Sequence, residues 1–115
     1  MSVVKIEPEK LDLNTGLQLK DGTAIDASDG LYVLYTGKDT NIVLLLSGSS
    51  EDTVTIEMGN GLQGVADEQA KVTSGKTTAI TLESGRFKLV SGDYKDYVHL
   101  KGAATTKVQA FELPV

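Results

Sequence analysis

The sequence predicts an all-β fold, a two-sheet antiparallel sandwich of immunoglobulin-like or jelly-roll-like type with about seven or eight strands. Three observations predict it. Turn-forming pairs recur along the whole chain, several of them at the about 8–12-residue spacing of sandwiches and barrels. The segments between them are short, rich in β-branched residues, and several alternate in polarity with a period of two. No window of helical length carries a sustained apolar stripe with caps.

The turn signals are Asp21-Gly22, Asp29-Gly30, Gly37-Lys38-Asp39, Ser47-Gly48, Gly59-Asn60-Gly61, Ser74-Gly75, Ser84-Gly85, Ser91-Gly92-Asp93 and Lys101-Gly102. Glycine supplies positive φ, and Asp, Asn and Ser bond back to nearby backbone, so such pairs end strands.

Residues 1–23 form an N-terminal arm or short edge strands of the same domain. Residues 24–115 form the sandwich. Residues 8–30 are the least regular stretch, where Leu11/Leu13 and Leu17/Leu19 suggest two very short strands or a lapping arm. Leu31–Tyr35 is apolar on both parities, and Ile42–Leu46 is a continuous IVLLL. Either that strand is central and covered on both faces, or its outer face meets a partner. Thr53–Met58 alternates, with Val54, Ile56 and Met58 facing one way. Val65–Val72 is the best helical candidate, and reads equally as an extended loop or strand. Lys76–Glu83 places Ile80 and Leu82 inward. Tyr97–Lys101 sets Val98 and Leu100 against Tyr97, His99 and Lys101. Val108–Leu113 changes parity, through either a bulge near Ala110 or a strand apolar on both sides, and Pro114 ends it. The expected core is Val33, Leu44, Val54, Ile56, Ile80, Leu82, Phe87, Val98, Leu100 and Val108.

Composition narrows the function classes. The 115 residues suffice for one domain with a modest core. There is no cysteine, so disulfides and thiolate metal sites are excluded, which favours assembly in a reducing cytoplasm. The net charge is −5 and the basic residues are scattered among acids. Phosphate backbones and anionic membranes are bound by clustered Lys and Arg, so neither nucleic acid nor a membrane is an expected direct partner. The N-terminus, MSVVKIEPEK, lacks the basic and apolar regions of a secretory signal.

Several local motifs invite a chemical reading. Gly59-Asn60-Gly61-Leu62-Gln63-Gly64 matches G-x-G-x-x-G, follows a strand, and has Glu83 about 20 residues on. Dinucleotide binding also needs a helix opening at the third glycine to hold the pyrophosphate. VADEQAKVTSG comes next instead, so the structural reading is a glycine-rich loop, and no cofactor is expected. Gly75-Lys76-Thr77 resembles the end of a P-loop, yet Ala70 stands where a glycine is required and TTAITLE reads as a strand. His99 is the one histidine, on the wet face of its strand, and no metal-ligand spacing surrounds it. Asp26, Asp29 and Asp39 lack the spacing of an EF-hand loop. No G-x-S-x-G or other nucleophile marker is present. No catalytic residue is assigned, and the chain is expected to be non-enzymatic. Tyr94 and Tyr97 flank a turn, where they are either contact residues or rim packing.

The strings TVTIEMGNGLQGVAD (53–67), LESGRFKLVSG (82–92), VHLKG (98–102) and FELP (111–114) together resemble small head decoration proteins. These are auxiliary capsid proteins encoded beside the major capsid gene of tailed bacteriophages and prophages. ASDGLYVLYTGKD (27–39) fits the same pattern, so the resemblance spans roughly residues 24–114. It implies a β-sandwich without catalytic residues that binds the outside of an assembled shell. The implied partner is the major capsid protein, and the implied location is the virion surface after assembly in the host cytoplasm; self-association between copies is a further candidate interaction. Interface candidates are Gly59, Asn60, Gly61, Leu62, Gln63 and Gly64, together with Arg86, Tyr94 and Tyr97 in the Ser84–Tyr97 hairpin region. The alternative is a carbohydrate-binding or adhesion module of a virion or cell surface. With no tryptophan, such a module would have to build its sugar platforms from tyrosines.

Overall fold

The computed structural model describes residues 3–18, 21–36 and 41–114; Leu19 and the Gly37-Lys38-Asp39 turn lie outside them. The strands are β1 (Val4–Ile6), β2 (Glu9–Lys10), β3 (Thr23–Ala24), β4 (Leu31–Leu34), β5 (Ile42–Gly48), β6 (Asp52–Ile56), β7 (Glu68–Val72), β8 (Thr77–Ile80), β9 (Tyr97–Lys101) and β10 (Thr106–Glu112). One helical turn, α1 (Ser84–Phe87), precedes β9.

Two five-stranded sheets face each other. The first runs β1-β4-β9-β6-β7; the second runs β2-β10-β5-β8, with β3 also paired to β10. The sandwich is as predicted, but both sheets are mixed. β1 pairs parallel with β4, and β2 pairs parallel with β10. The chain crosses from one sheet to the other between Ile6 and Glu9, so one short N-terminal segment lines an edge of each sheet. The described leucines of the two pairs form no strands: Leu11 and Leu13 follow β2, Leu17 lies in irregular chain ahead of β3, and Leu13 and Leu17 are exposed.

Alternation decides the core. Val33, Leu44, Val54, Ile56, Leu82, Phe87, Val98, Leu100 and Val108 are buried as expected, joined by Ile25, Leu31, Tyr35, Ile42, Leu46 and Val72. Ile80 faces inward but is half-buried, because β8 ends its sheet. Met58 does not share the inward face of Val54 and Ile56. The chain leaves the sheet after Ile56, and the Met58 amide donates to Asp67 Oδ1 (2.7 Å), which leaves the side chain exposed. Residues 68–72 form β7, which settles the helical candidate as a strand.

β10 stays in one continuous register with β5, from Thr106 opposite Gly48 to Glu112 opposite Ile42. It contains no bulge, and its parity change is a strand apolar on both sides. Phe111 and Val43 therefore meet on the outer face, where Leu45 also lies, all three half-buried.

Thr106, the one fully buried polar residue among those described, donates its hydroxyl to Asp52 Oδ2 (2.7 Å). The same oxygen accepts the Ala103 amide (2.9 Å). The β9–β10 turn is thus tied to the start of β6 by one carboxylate oxygen that accepts two hydrogen bonds.

Candidate functional site: a glycine-rich tip and an aromatic face

The Gly59–Gly64 loop and the 84–91 segment meet at one end of the sandwich. The Gly59 amide donates to the Arg86 carbonyl (2.8 Å). Asn60 links both strings with its amide. Its Oδ1 accepts the Val90 amide (2.7 Å), and its Nδ2 donates to Ser91 Oγ (3.2 Å) and Ser91 O (3.3 Å). Gly59 must be glycine because a Cβ there would run into the Lys88 carbonyl, a backbone atom that cannot swing aside. Around this pinned loop stand Met58, Leu62, Val65 and Val90, all exposed, Leu62 completely. Beyond Gly64 the chain is irregular and then enters β7, so the helix a pyrophosphate would need is absent there. Arg86 lies over the neighbouring Phe87 ring (4.9 Å to the centroid), and Gln63 packs against Gly85.

Tyr94 and Tyr97 belong elsewhere. The outer face of the first sheet carries a three-deep ring stack. Tyr32 is sandwiched between Tyr94 (4.1 Å, 11°) and His99 (4.2 Å, 3°), and Tyr97 meets it edge-on at 6.5 Å. Strand pairing explains half of this, since Tyr32 and His99 are directly opposite in the β4–β9 ladder. Lys5, opposite Tyr32 on β1, extends its ammonium to about the same distance from the Tyr94 and Tyr97 rings (5.2 and 5.3 Å).

His99 closes the stack. Its Nε2 is 2.7 Å from the Asp29 carbonyl, which requires a donated proton, and its Nδ1 lies 3.5 Å from Glu57 Oε2. Glu57 also receives Lys101 Nζ at 2.9 Å. That contact raises the Lys101 pKa, chiefly through the hydrogen bond. Desolvation, helped by the charges of Tyr94 and Glu57, pushes the Tyr32 hydroxyl above its ordinary value. The Asp29 carbonyl is presented by a tight loop in which Asp26 Oδ1 accepts the amides of Ser28 (2.8 Å) and Asp29 (3.0 Å). Those bonds, the Asp29 one first, hold the Asp26 carboxyl below 3.8. The loop closes at Gly30, which must be glycine because its φ is +77° and because a Cβ there would run into the Leu100 carbonyl.

The sequence-predicted candidates therefore fall into two groups: the loop residues with Arg86 at the tip, and Tyr94 with Tyr97 on the aromatic face. Lys5, Tyr32, Glu57 and Lys101 were not singled out as site residues by the sequence. The shared parity of Tyr97, His99 and Lys101 was the visible signal; the pairing of β9 with β4 and β6 was not. Among the described residues no group of three or more His, Asp or Glu is placed to hold a metal, and no helix is long and apolar enough to cross a membrane.

Compared with known proteins, the chain matches no family model, no curated protein and no solved structure.

Proposed function

We propose that this protein is a non-enzymatic decoration protein that binds the outer face of a phage capsid lattice and stabilises it. The reading begins from the resemblance of residues 24–114 to auxiliary head proteins. One geometric observation carries it. Four exposed apolar side chains, Met58, Leu62, Val65 and Val90, surround a loop anchored by the Asn60 hydrogen bonds. Apolar side chains held exposed on a fixed scaffold suit a contact surface. A pinned loop also loses little entropy on docking.

The partner is the major capsid protein, and the location is the virion surface. Binding stabilises a shell by mass action when the site exists only in the closed, expanded lattice. Modest affinity per copy suffices because each shell presents many sites.

The saccharide-binding alternative would use the tyrosine face. Both faces of Tyr32 are taken by Tyr94 and His99, and Lys5 lies over Tyr94, so the rings pack against one another instead of offering open platforms. The decoration reading is therefore preferred.

The test adds purified protein to expanded shells that lack it. Saturation at a fixed number per capsomer, weaker binding to unexpanded procapsids and greater heat resistance of loaded shells are expected. Leu62→Asp abolishes saturation while leaving the circular dichroism spectrum unchanged. Failure of the wild-type protein to saturate its own phage's heads refutes the proposal.

A further inference from the structure

The sheet edges differ in how they are protected. A terminal strand leaves backbone donors and acceptors unpaired on one side, and charges along it discourage pairing with another chain. β1 carries Lys5, β2 is Glu9–Lys10, and β7 carries Glu68 and Lys71. β8, at the opposite end of the second sheet from β2 and the two-residue β3 (Thr23–Ala24), is the longer uncharged edge. From Thr77 to Leu82 the sequence is TTAITL, with neither charge nor proline. Thr77, Ala79 and Thr81 are exposed, and even the inward Ile80 is only half-buried. Thr78 reaches the Lys71 carbonyl through its hydroxyl (2.8 Å), a contact made by an inward-facing side chain and not along the edge.

We propose that β8 is a self-association edge, through which two copies of this chain pair antiparallel and extend the second sheet across a twofold axis. The residues select a second copy as the occupant. The charges that bound the uncharged stretch are Lys76 at its start and Glu83 at its end. Antiparallel pairing with a second copy brings the basic end of each strand to the acidic end of the other, twice by symmetry. A twofold axis perpendicular to the sheet keeps both outer faces on one side, so residues of like parity must pair. Centred on Ala79, the register sets Ala79 against Ala79, Thr78 against Ile80 and Thr77 against Thr81. No like charges are opposed, and the smallest side chain lies at the axis. The same operation makes the apolar outer surfaces of the two copies, Val43, Leu45 and Ala79, continuous.

This inference does not rest on the capsid reading, and Leu62→Asp leaves it untouched. The experiment is sedimentation equilibrium of the full chain up to about 500 μM, a range that captures dissociation constants weaker than micromolar. The wild-type protein dimerises. Ala79→Lys and Ala79→Glu are each monomeric, because each opposes its own charge at the axis, and an equimolar mixture of the two recovers dimer. Ala79 is exposed, and circular dichroism with thermal melts checks that both variants fold. A wild-type chain that stays monomeric throughout overturns the proposal, as does a dimer insensitive to both substitutions or a mixture no more dimeric than its parts. A monomer that binds a foreign extended peptide along β8 also overturns it, assigning the edge to a different partner.

Discussion

The two outer faces of this sandwich obey the same alternation and end in opposite conditions. On the first sheet the outward residues satisfy one another: Tyr94, Tyr32 and His99 stack, Lys5 caps the rings, and Glu57 takes Lys101 and faces His99. On the second sheet the outward residues of the central strands include Val43, Leu45 and Phe111, half-buried and facing away from the core. The difference teaches that a polar outer face becomes specific by internal pairing. On the proposal made above, an apolar outer face beside an uncharged edge is left for association.

The inner faces should be indistinguishable, and that sets the scale of the comparison. Leu44 in the second sheet and Ile56 in the first are both fully buried. Leu44→Ala and Ile56→Ala should each cost about 2–5 kcal/mol by cavity formation, read from urea unfolding midpoints. A loss several-fold larger in one sheet would show that the two layers do not share one core.

The outer faces should then separate. Tyr32→Ala removes the middle ring of the stack and should cost about 1–3 kcal/mol, combining lost burial with two ring contacts. Leu45→Ser, on the other outer face, should cost about 1 kcal/mol or less, since no partner group is left unpaired. Equal losses in chemical denaturation would erase the distinction drawn between the faces.

The smallest effect tests how the loop at 26–30 is docked on the first face through the Asp29 carbonyl and His99. Asp26 is held below 3.8 by the amides of Asp29 and Ser28. Because its folded-state value is depressed, its contribution is present above the unfolded value of 3.8 and is lost as pH falls through the lower folded value. Asp26→Asn keeps an acceptor for the turn and removes this titration. The variant should show a flatter acid limb of stability against pH than the wild type; an unchanged limb would show that Asp26 is not linked to folding.

Much of the fold was legible because strand polarity is written residue by residue. Tyr97–Lys101 is β9 as read, and nine of the ten expected core positions are buried, Ile80 being half-buried. The candidate site was legible only in pieces. Gly59–Gly64 and Arg86 were visible as loop residues, but that Asn60 fastens one string to the other depends on a contact across 31 positions. Tyr94 and Tyr97 stood out as aromatic, while Tyr32, their partner, looked like any strand residue.

Period two, turn chemistry and the lack of cysteine were determined by the sequence alone. Each is a property of single residues or near neighbours, and the direction of a side chain on an extended backbone follows from its parity. Which strands lie side by side was decided only by the tertiary structure. β1 and β2 pair parallel with β4 and β10, Met58 turns outward once the chain leaves the sheet, and His99 reaches a carbonyl 70 positions away. Backbone hydrogen bonding is nearly indifferent to which strands pair, so the choice falls to the closure of the whole sandwich: the arrangement in which both apolar inner faces are covered and the buried Thr106 finds its carboxylate.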